Sequence, residues 1–342
     1  LRGSGQYVSI MISTLIQTGI LINSETYPVI ELSPTDESIR EMLQVITTFF
    51  TKNAAEKQGA NFQILYDVLT LPENGFGLKK GVIPIFIAVV LHLYKKNIVI
   101  LHNGREIRIE SNILNEINNS PKEYSVILED WNEEKACYVE SLEELFIDYI
   151  KENEKSYNLF TYIVNAMNYW YLSLPKYTKE TILKFDYNGE SQNIDLSSRK
   201  LISSLKLLVN NPREFLFEKV FEIYEMDEYD IDVISRIAET KGIYDNAINN
   251  LLETLILKVR TLFSSEESES SLTSIIRDWY EPLSEHTKQS LFPRSENRIL
   301  EVIGEVTNDE EEFVRRLAKT VTSLRIEDWN NETIESFIYE LK

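Results

Sequence analysis

The residues nearest to a recognisable chemistry lie in "NGFGLKKGVIP", residues 74–84. Gly75, Gly77 and Gly81 beside Lys79 and Lys80 are the types from which phosphate cradles are made. Glycines let backbone N–H groups crowd an anion, and a lysine neutralises it. A cradle of that kind needs the spacing G-x-x-x-x-G-K-[S/T] behind an apolar strand. This stretch has neither, so it reads as a turn leading into a helix.

No other catalytic pattern is present. The sequence has no G-x-S-x-G elbow and no H-E-x-x-H pair. Its three histidines, His92, His102 and His286, are too scattered for a metal site. Asp227, Glu228, Asp230 and Asp232 imitate a calcium loop but lack its central Gly and closing Glu. Cys137 stands alone, without a histidine beside it to activate a thiolate. We therefore nominate no catalytic residue, no metal ligand and no cofactor-binding residue, and expect no cofactor.

One charge pattern does survive. Residues 60–110 hold six Lys/Arg and four Asp/Glu, a net +2 inside a chain of net −20. Lys79, Lys80, Arg105 and Arg108 are the candidate nucleic-acid contacts, since cations position a phosphate backbone. An overall charge of −20 argues against wholesale nucleic-acid binding, which depends on phosphate neutralisation, and leaves room for a local basic patch on an acidic body. The aromatic cluster Tyr157, Phe160, Tyr162, Tyr169, Trp170 and Tyr171 has no interleaved cations, so packing is favoured over base stacking.

These residues need a scaffold, and the composition says which kind. Of 342 residues, 43% are hydrophobic and 26% charged, with only 11 Gly and 9 Pro. That profile points to a mainly α fold. A single cysteine rules out an internal disulfide framework and suits a reducing cytosol. The start carries no signal peptide pattern, and both ends border helical patterns, so a region of a larger protein is expected.

Along the chain, "SPTDESIREMLQ" predicts a helix capped by Ser33 or Thr35. "NFQILYDVLTLP" predicts a second, stopped at Pro72. The apolar block Val82–Leu91 is ten residues, about half the ~20 a bilayer crossing needs. With Pro84 in its first turn, it predicts a buried helix over 80–96. "NIVILHNGREIRIE" alternates around Asn103-Gly104, the favoured pair for a two-residue hairpin turn. A third strand is expected over 124–128.

Helices leading into such a sheet suggest an embedded winged-helix-like unit. "SLEELF" offers a capping box from Ser141 to Glu144. The expected organisation is a helical segment over 1–60, a winged-helix-like unit with a small antiparallel sheet over 61–140, a helical bundle over 141–263, a Ser/Glu linker over 264–271, and a helical region over 272–342.

"LYDVLTLPENGFGLKKGVIPIFIAVVL", "IVILHNGREIR" and "NSPKEYSV" together resemble a segment of large bacterial ATPases from phage-defence and restriction loci, BREX-type ones included. "YWYLSLPKYTKET", "NNPREFLFEKVFE" and "RIEDWNNETIESFIYEL" extend the resemblance over most of residues 40–342. It implies a cytoplasmic, non-catalytic region lying beyond an ATPase core, which docks partner subunits and helps position DNA. The Walker lysine and acid of such ATPases are missing, so ATP hydrolysis is not expected of this chain. Two alternatives are a DNA-binding module acting through the hairpin wing and an enzyme with dispersed carboxylates.

Overall fold

A computed structural model describes residues 5–23, 27–53, 59–110, 112–155, 158–186, 188–206, 209–227, 232–264, 270–289 and 294–342. The fold is mainly helical, 66% helix, with small antiparallel sheets. It divides into two compact units. One is Leu1–Ala166 with Val209–Lys219, the other Met167–Leu208 with Val220–Lys342.

The first unit opens with α1 (Gln6–Met11) and a hairpin of β1 (Leu21–Asn23) and β2 (Pro28–Ile30). In α2 (Glu37–Thr48) the cap is Asp36, one residue beyond the predicted Thr35, and its carboxylate accepts from the Ile39 N–H at 3.0 Å. A carboxylate there also meets the positive end of the helix dipole, which a hydroxyl does not. Helix α2 buries Met42, Leu43 and Ile46.

After β3 (Ala60–Asn61), Asn61 caps α3 (Phe62–Thr70) by accepting from the Gln63 N–H at 2.9 Å. Gly59 precedes this strand at φ +67°, and a Cβ on it would stand 2.6 Å from the Val126 carbonyl oxygen. Only glycine lets the chain pass so close.

The apolar block forms α4 (Ile83–Tyr94), with Pro84 in its first turn where no N–H is needed. Ile83, Phe86, Ile87, Val89, Val90 and Leu91 are all buried. A helix apolar almost all round must be enclosed, and this one is the centre of the first core.

Next come β4 (Ile98–His102) and β5 (Arg105–Ile107), paired antiparallel with Ile100 opposite Ile107. Asn103 (φ +50°) and Gly104 (φ +79°) occupy the left-handed region that a type I′ turn demands. Helix α5 (Ile113–Asn119) then leads to β6 (Tyr124–Leu128), which pairs with β4 along its whole length. The antiparallel sheet runs β3–β6–β4–β5.

Helix α6 (Glu133–Leu145) begins at Asn132, whose side chain accepts from the Lys135 N–H at 2.8 Å. Ser141, predicted as a cap, is inside this helix and donates back to the Cys137 carbonyl at 2.8 Å. Asn132 is reached nine residues before Ser141 and caps the helix first, so Ser141 falls in its interior. The division between units falls within α7 (Thr161–Ser173).

In the second unit α8 (Lys176–Glu180) precedes a small hairpin, β7 (Leu183–Phe185) with β8 (Ser191–Asn193). Asp195 caps α9 (Leu196–Leu205), accepting from the Ser198 N–H at 2.9 Å. Residues 212–224 then form one helical run: α10 (Pro212–Glu214), a π turn Phe215–Lys219, and α11 (Val220–Tyr224). The first two of these belong to the first unit.

Helices α12 (Asp232–Asp245), α13 (Ala247–Phe263), α14 (Leu272–Tyr280), α15 (Glu285–Lys288), α16 (Arg294–Gly304), α17 (Glu310–Thr322) and α18 (Asn331–Glu340) complete the second unit. Leu251, Leu255, Leu272, Phe313, Trp329 and Phe337 share one core, so the chain on either side of 264–271 packs together. Residues 265–269 of that expected linker lie outside the described residues. Three buried hydroxyls join three helices here: Thr240 Oγ1 lies 2.7 Å from both Ser198 Oγ and Tyr224 OH. Burial pushes the Tyr224 phenol up to about 12.

Candidate interaction site

Strand β5 is where the sequence placed its wing, and the structure gives that strand two faces. Arg105 and Arg108 are exposed, as are Lys79 and Lys80 ahead of α4. Among the described residues none of these four has an ion-pair partner. Arg105 stands opposite His102 in the hairpin register, and Arg108 lies one residue past the strand.

Between the arginines, Glu106 turns the other way and meets the returning segment 209–219. Its backbone N–H donates to Asn211 Oδ1 at 3.2 Å, and its carboxylate accepts the Arg213 N–H at 2.9 and 3.2 Å. Asn211 makes no side-chain cap for its own helix. A carboxylate from a strand 107 positions away satisfies that orphan N–H instead. Burial pushes the Glu106 carboxyl up to about 7, partly offset by hydrogen bonds from the Arg213 and Glu214 backbone.

A second contact locks the same segment. Glu129, 3% exposed just after β6, takes Lys135 on one carboxylate oxygen and the Arg213 Nε–H on the other. Lys135 also donates to the Asp130 carbonyl at 2.7 Å, and Arg213 to Glu218 at 2.9 Å. For Arg213, burial works against the charge, but the Glu129 and Glu218 carboxylates outweigh it and hold the guanidinium above its ordinary value. The Lys135 ammonium sits 5.5 Å from the Phe217 ring, and Phe217 packs edge-on against Phe160 at 5.2 Å. Tyr138 OH donates to the Leu216 carbonyl at 3.1 Å.

A carboxyl at about 7 has the acidity of a general acid–base group. Here it accepts from the Arg213 and Glu214 backbone at the start of α10, so it works as a helix cap. Among the described residues, no group of three or more His, Cys, Asp or Glu could hold a metal ion. His92 is exposed on α4. His102 stacks on Tyr124 at 4.5 Å and lies 3.2 Å from Glu123. His286 is in α15, far along the chain from both. Cys137 is exposed on α6.

Of the calcium-like run, Asp227 and Asp232 are described, while Glu228 and Asp230 lie outside the described residues. Phe160, Tyr162, Trp170 and Tyr171 are buried, as core packing requires; Tyr157 lies outside the described residues. No helix among the described residues is long and apolar enough to cross a membrane.

The chain matches no protein-family model, no curated protein and no solved structure. The site therefore rests on its own geometry.

Sequence reasoning found the four exposed cations and missed the clasp of Glu106, Glu129, Lys135, Asn211 and Arg213. Two local signals did point at it. Asn211-Pro212 marks a helix start, though Asn211 itself reads as its cap, and Glu106 alternates with Arg105 and Ile107 on the strand. Neither signal names a partner 84 to 107 positions away.

Proposed function

We propose that this chain is a non-catalytic interaction region of a larger bacterial anti-phage defence ATPase, cytosolic, and that it docks partner subunits. The resemblance of residues 40–342 to such proteins supports this reading, as does the order of elements in the first unit. Over residues 61–140, helices α3 and α4 followed by the β4–β5 hairpin and β6 are compatible with a winged-helix-like unit whose wing is that hairpin.

The observation that carries docking over base reading is α4. A helix that reads a major groove needs hydrogen-bonding side chains for base edges. The helix in that position is IPIFIAVVLHLY, with six residues buried and His92 and Leu93 the exposed ones. It can pack against protein and has almost nothing to offer a base.

The test is pairwise mixing of the purified chain with each protein encoded beside it, read by size-exclusion chromatography with light scattering. A stable complex with at least one is expected. Robust nucleotide hydrolysis by the purified chain overturns the reading.

A second reading, DNA contact through the wing, is favoured by the exposed Lys79, Lys80, Arg105 and Arg108, which have no ion-pair partner among the described residues. It expects salt-sensitive duplex binding that weakens in the Arg105→Glu, Arg108→Glu double variant. Binding unchanged in that variant removes it.

A further inference from the structure

Alternation along the strands gives the four-stranded sheet two unlike faces. Ile98, Ile100, Tyr124 and Val126 are buried in the first core. The register sets Glu106 opposite Leu101 and Leu101 opposite Ser125, so these three belong to the other face. Glu129 continues that face one residue past β6, its N–H held by the Asn97 carbonyl at 2.8 Å. Two acidic side chains on this face, Glu106 and Glu129, grip residues 209–214 of the returning segment.

That segment is built in two parts. Phe215, Leu216 and Phe217 are at most 2% exposed, and the Tyr138 hydroxyl holds the Leu216 carbonyl. Exposing three large apolar side chains is costly, so this part is an anchor. Ahead of it Asn210 is exposed, Val209 and Asn211 are half-buried, and only Pro212 is a buried apolar residue. Helix α10 is three residues long, far short of a helix that holds itself in water. Residues 209–214 therefore stay down through polar grips. Glu106 gives its own N–H to the Asn211 side chain and its carboxyl to the Arg213 and Glu214 N–H groups, while Glu129 takes the Arg213 guanidinium. The π turn Phe215–Lys219 follows, a break in the regular ladder of the kind at which helices bend.

The grip at Glu106 is the one a proton can change. Burial opposes its ionisation, and the carboxyl stands at about 7 against an ordinary 4.5. Two charged groups face it from α10: Arg213 favours ionisation and Glu214 opposes it. Across the sheet it meets Leu101 and Ser125, which carry no charge. Glu129 and Lys135 lie behind Arg213, and Glu218 and Lys219 of the π turn pair with Arg213 and Glu214. On its own strand and just past it, Arg105 and Arg108 are exposed. His102 belongs to the opposite face, stacked on Tyr124.

We propose that residues 209–214 form a proton-controlled latch on this face of the sheet, closed while the Glu106 carboxyl keeps its proton and lifting about the π turn when that proton passes to water. Lifting returns the carboxylate to solvent and frees the outer edge of β5, where Asn211 otherwise occupies the Glu106 N–H. The latch goes beyond the docking function proposed above and does not depend on it.

Hydrogen exchange of the full chain at pH 6 and pH 8, resolved to single amides and corrected for the faster chemical exchange at high pH, measures the opening. The Arg213 and Glu214 amides open more readily than those of Phe217 and Val90 at either pH, by roughly a hundredfold or more. Their opening rises about tenfold from pH 6 to pH 8, the linkage expected of one acid at about 7 that returns to 4.5 when released. Glu106→Gln keeps an oxygen for the N–H groups and abolishes the rise, with a melting curve at pH 6 to verify its fold. His102→Gln retains the rise.

The unmodified chain alone can overturn the latch. Protection at Arg213 and Glu214 equal to that at Phe217 or Val90 means that only global unfolding frees them, and no latch exists. A rise that is absent from the unmodified chain, that persists in Glu106→Gln, or that vanishes in His102→Gln overturns control by Glu106.

Discussion

Each unit of this chain joins its helices through a buried polar cluster, and the two clusters are built from opposite chemistry. In the first, Glu129 holds Lys135 and Arg213, three ionised groups drawn mostly out of water. In the second, Thr240 holds Ser198 and Tyr224, three neutral hydroxyls. Desolvating a charge costs several kcal/mol, and only a complete set of partners offsets it. A hydroxyl costs less to bury and forfeits less when a partner is lost. The charged cluster is thus close to all-or-none, whereas the hydroxyl cluster degrades by steps.

The largest expected effect tests the all-or-none side. Glu129→Ala removes the carboxylate shared by buried Lys135 and half-buried Arg213, leaving Arg213 with Glu218 alone, and lowers stability by about 3 kcal/mol in urea unfolding. If the cluster is about specificity and not net stability, then Glu129→Met, Lys135→Met and Arg213→Met together recover most of that loss. A triple variant as unstable as Glu129→Ala would show that the charges themselves stabilise the unit.

The next effect concerns pH and separates Glu106 from both clusters. Its carboxyl stands at about 7 when folded against an ordinary 4.5, so between those values the folded protein holds a proton the unfolded chain has released. This stabilisation is full below about pH 4.5 and is lost as pH rises through 7, on the order of 1–3 kcal/mol. Glu106→Gln removes that slope, which urea titrations at pH 5 and pH 8 would measure.

Thr240→Val, in the hydroxyl cluster, should cost about 1–3 kcal/mol, chiefly through the Tyr224 and Ser198 groups left unpaired. A loss as large as that of Glu129→Ala would erase the contrast. Smallest of all, Arg105→Glu with Arg108→Glu should move stability by no more than about 0.5 kcal/mol, because both side chains are exposed and have no ion-pair partner among the described residues.

The contrast also explains which features were legible from sequence. The α4 block, the Asn103-Gly104 turn and the β4–β6 strands are written in local periodicity and turn chemistry, and they stand where those rules put them. Two caps shifted, to Asp36 and Asn132, because several Ser, Thr, Asp and Asn compete within a few residues and the preceding chain chooses among them. The clasp was illegible for another reason. Glu129 and Arg213 each look like one more surface charge among 90. Only the return of residues 209–219 to the first unit makes them a buried pair.

That returning segment has a consequence for the order in which the protein is made. The four-stranded sheet is complete once Leu128 has been synthesised, yet Arg213 follows Glu129 by 84 residues. At the ~5–20 residues per second of translation, the nascent first unit waits roughly 4 to 17 seconds for its second cation. Throughout that interval Glu129 has Lys135 alone, and the N–H that Glu106 will cap does not yet exist. The ribosome thus holds an unfinished first unit while most of α7 to α9 emerges, and closure of the clasp marks the moment when it becomes whole.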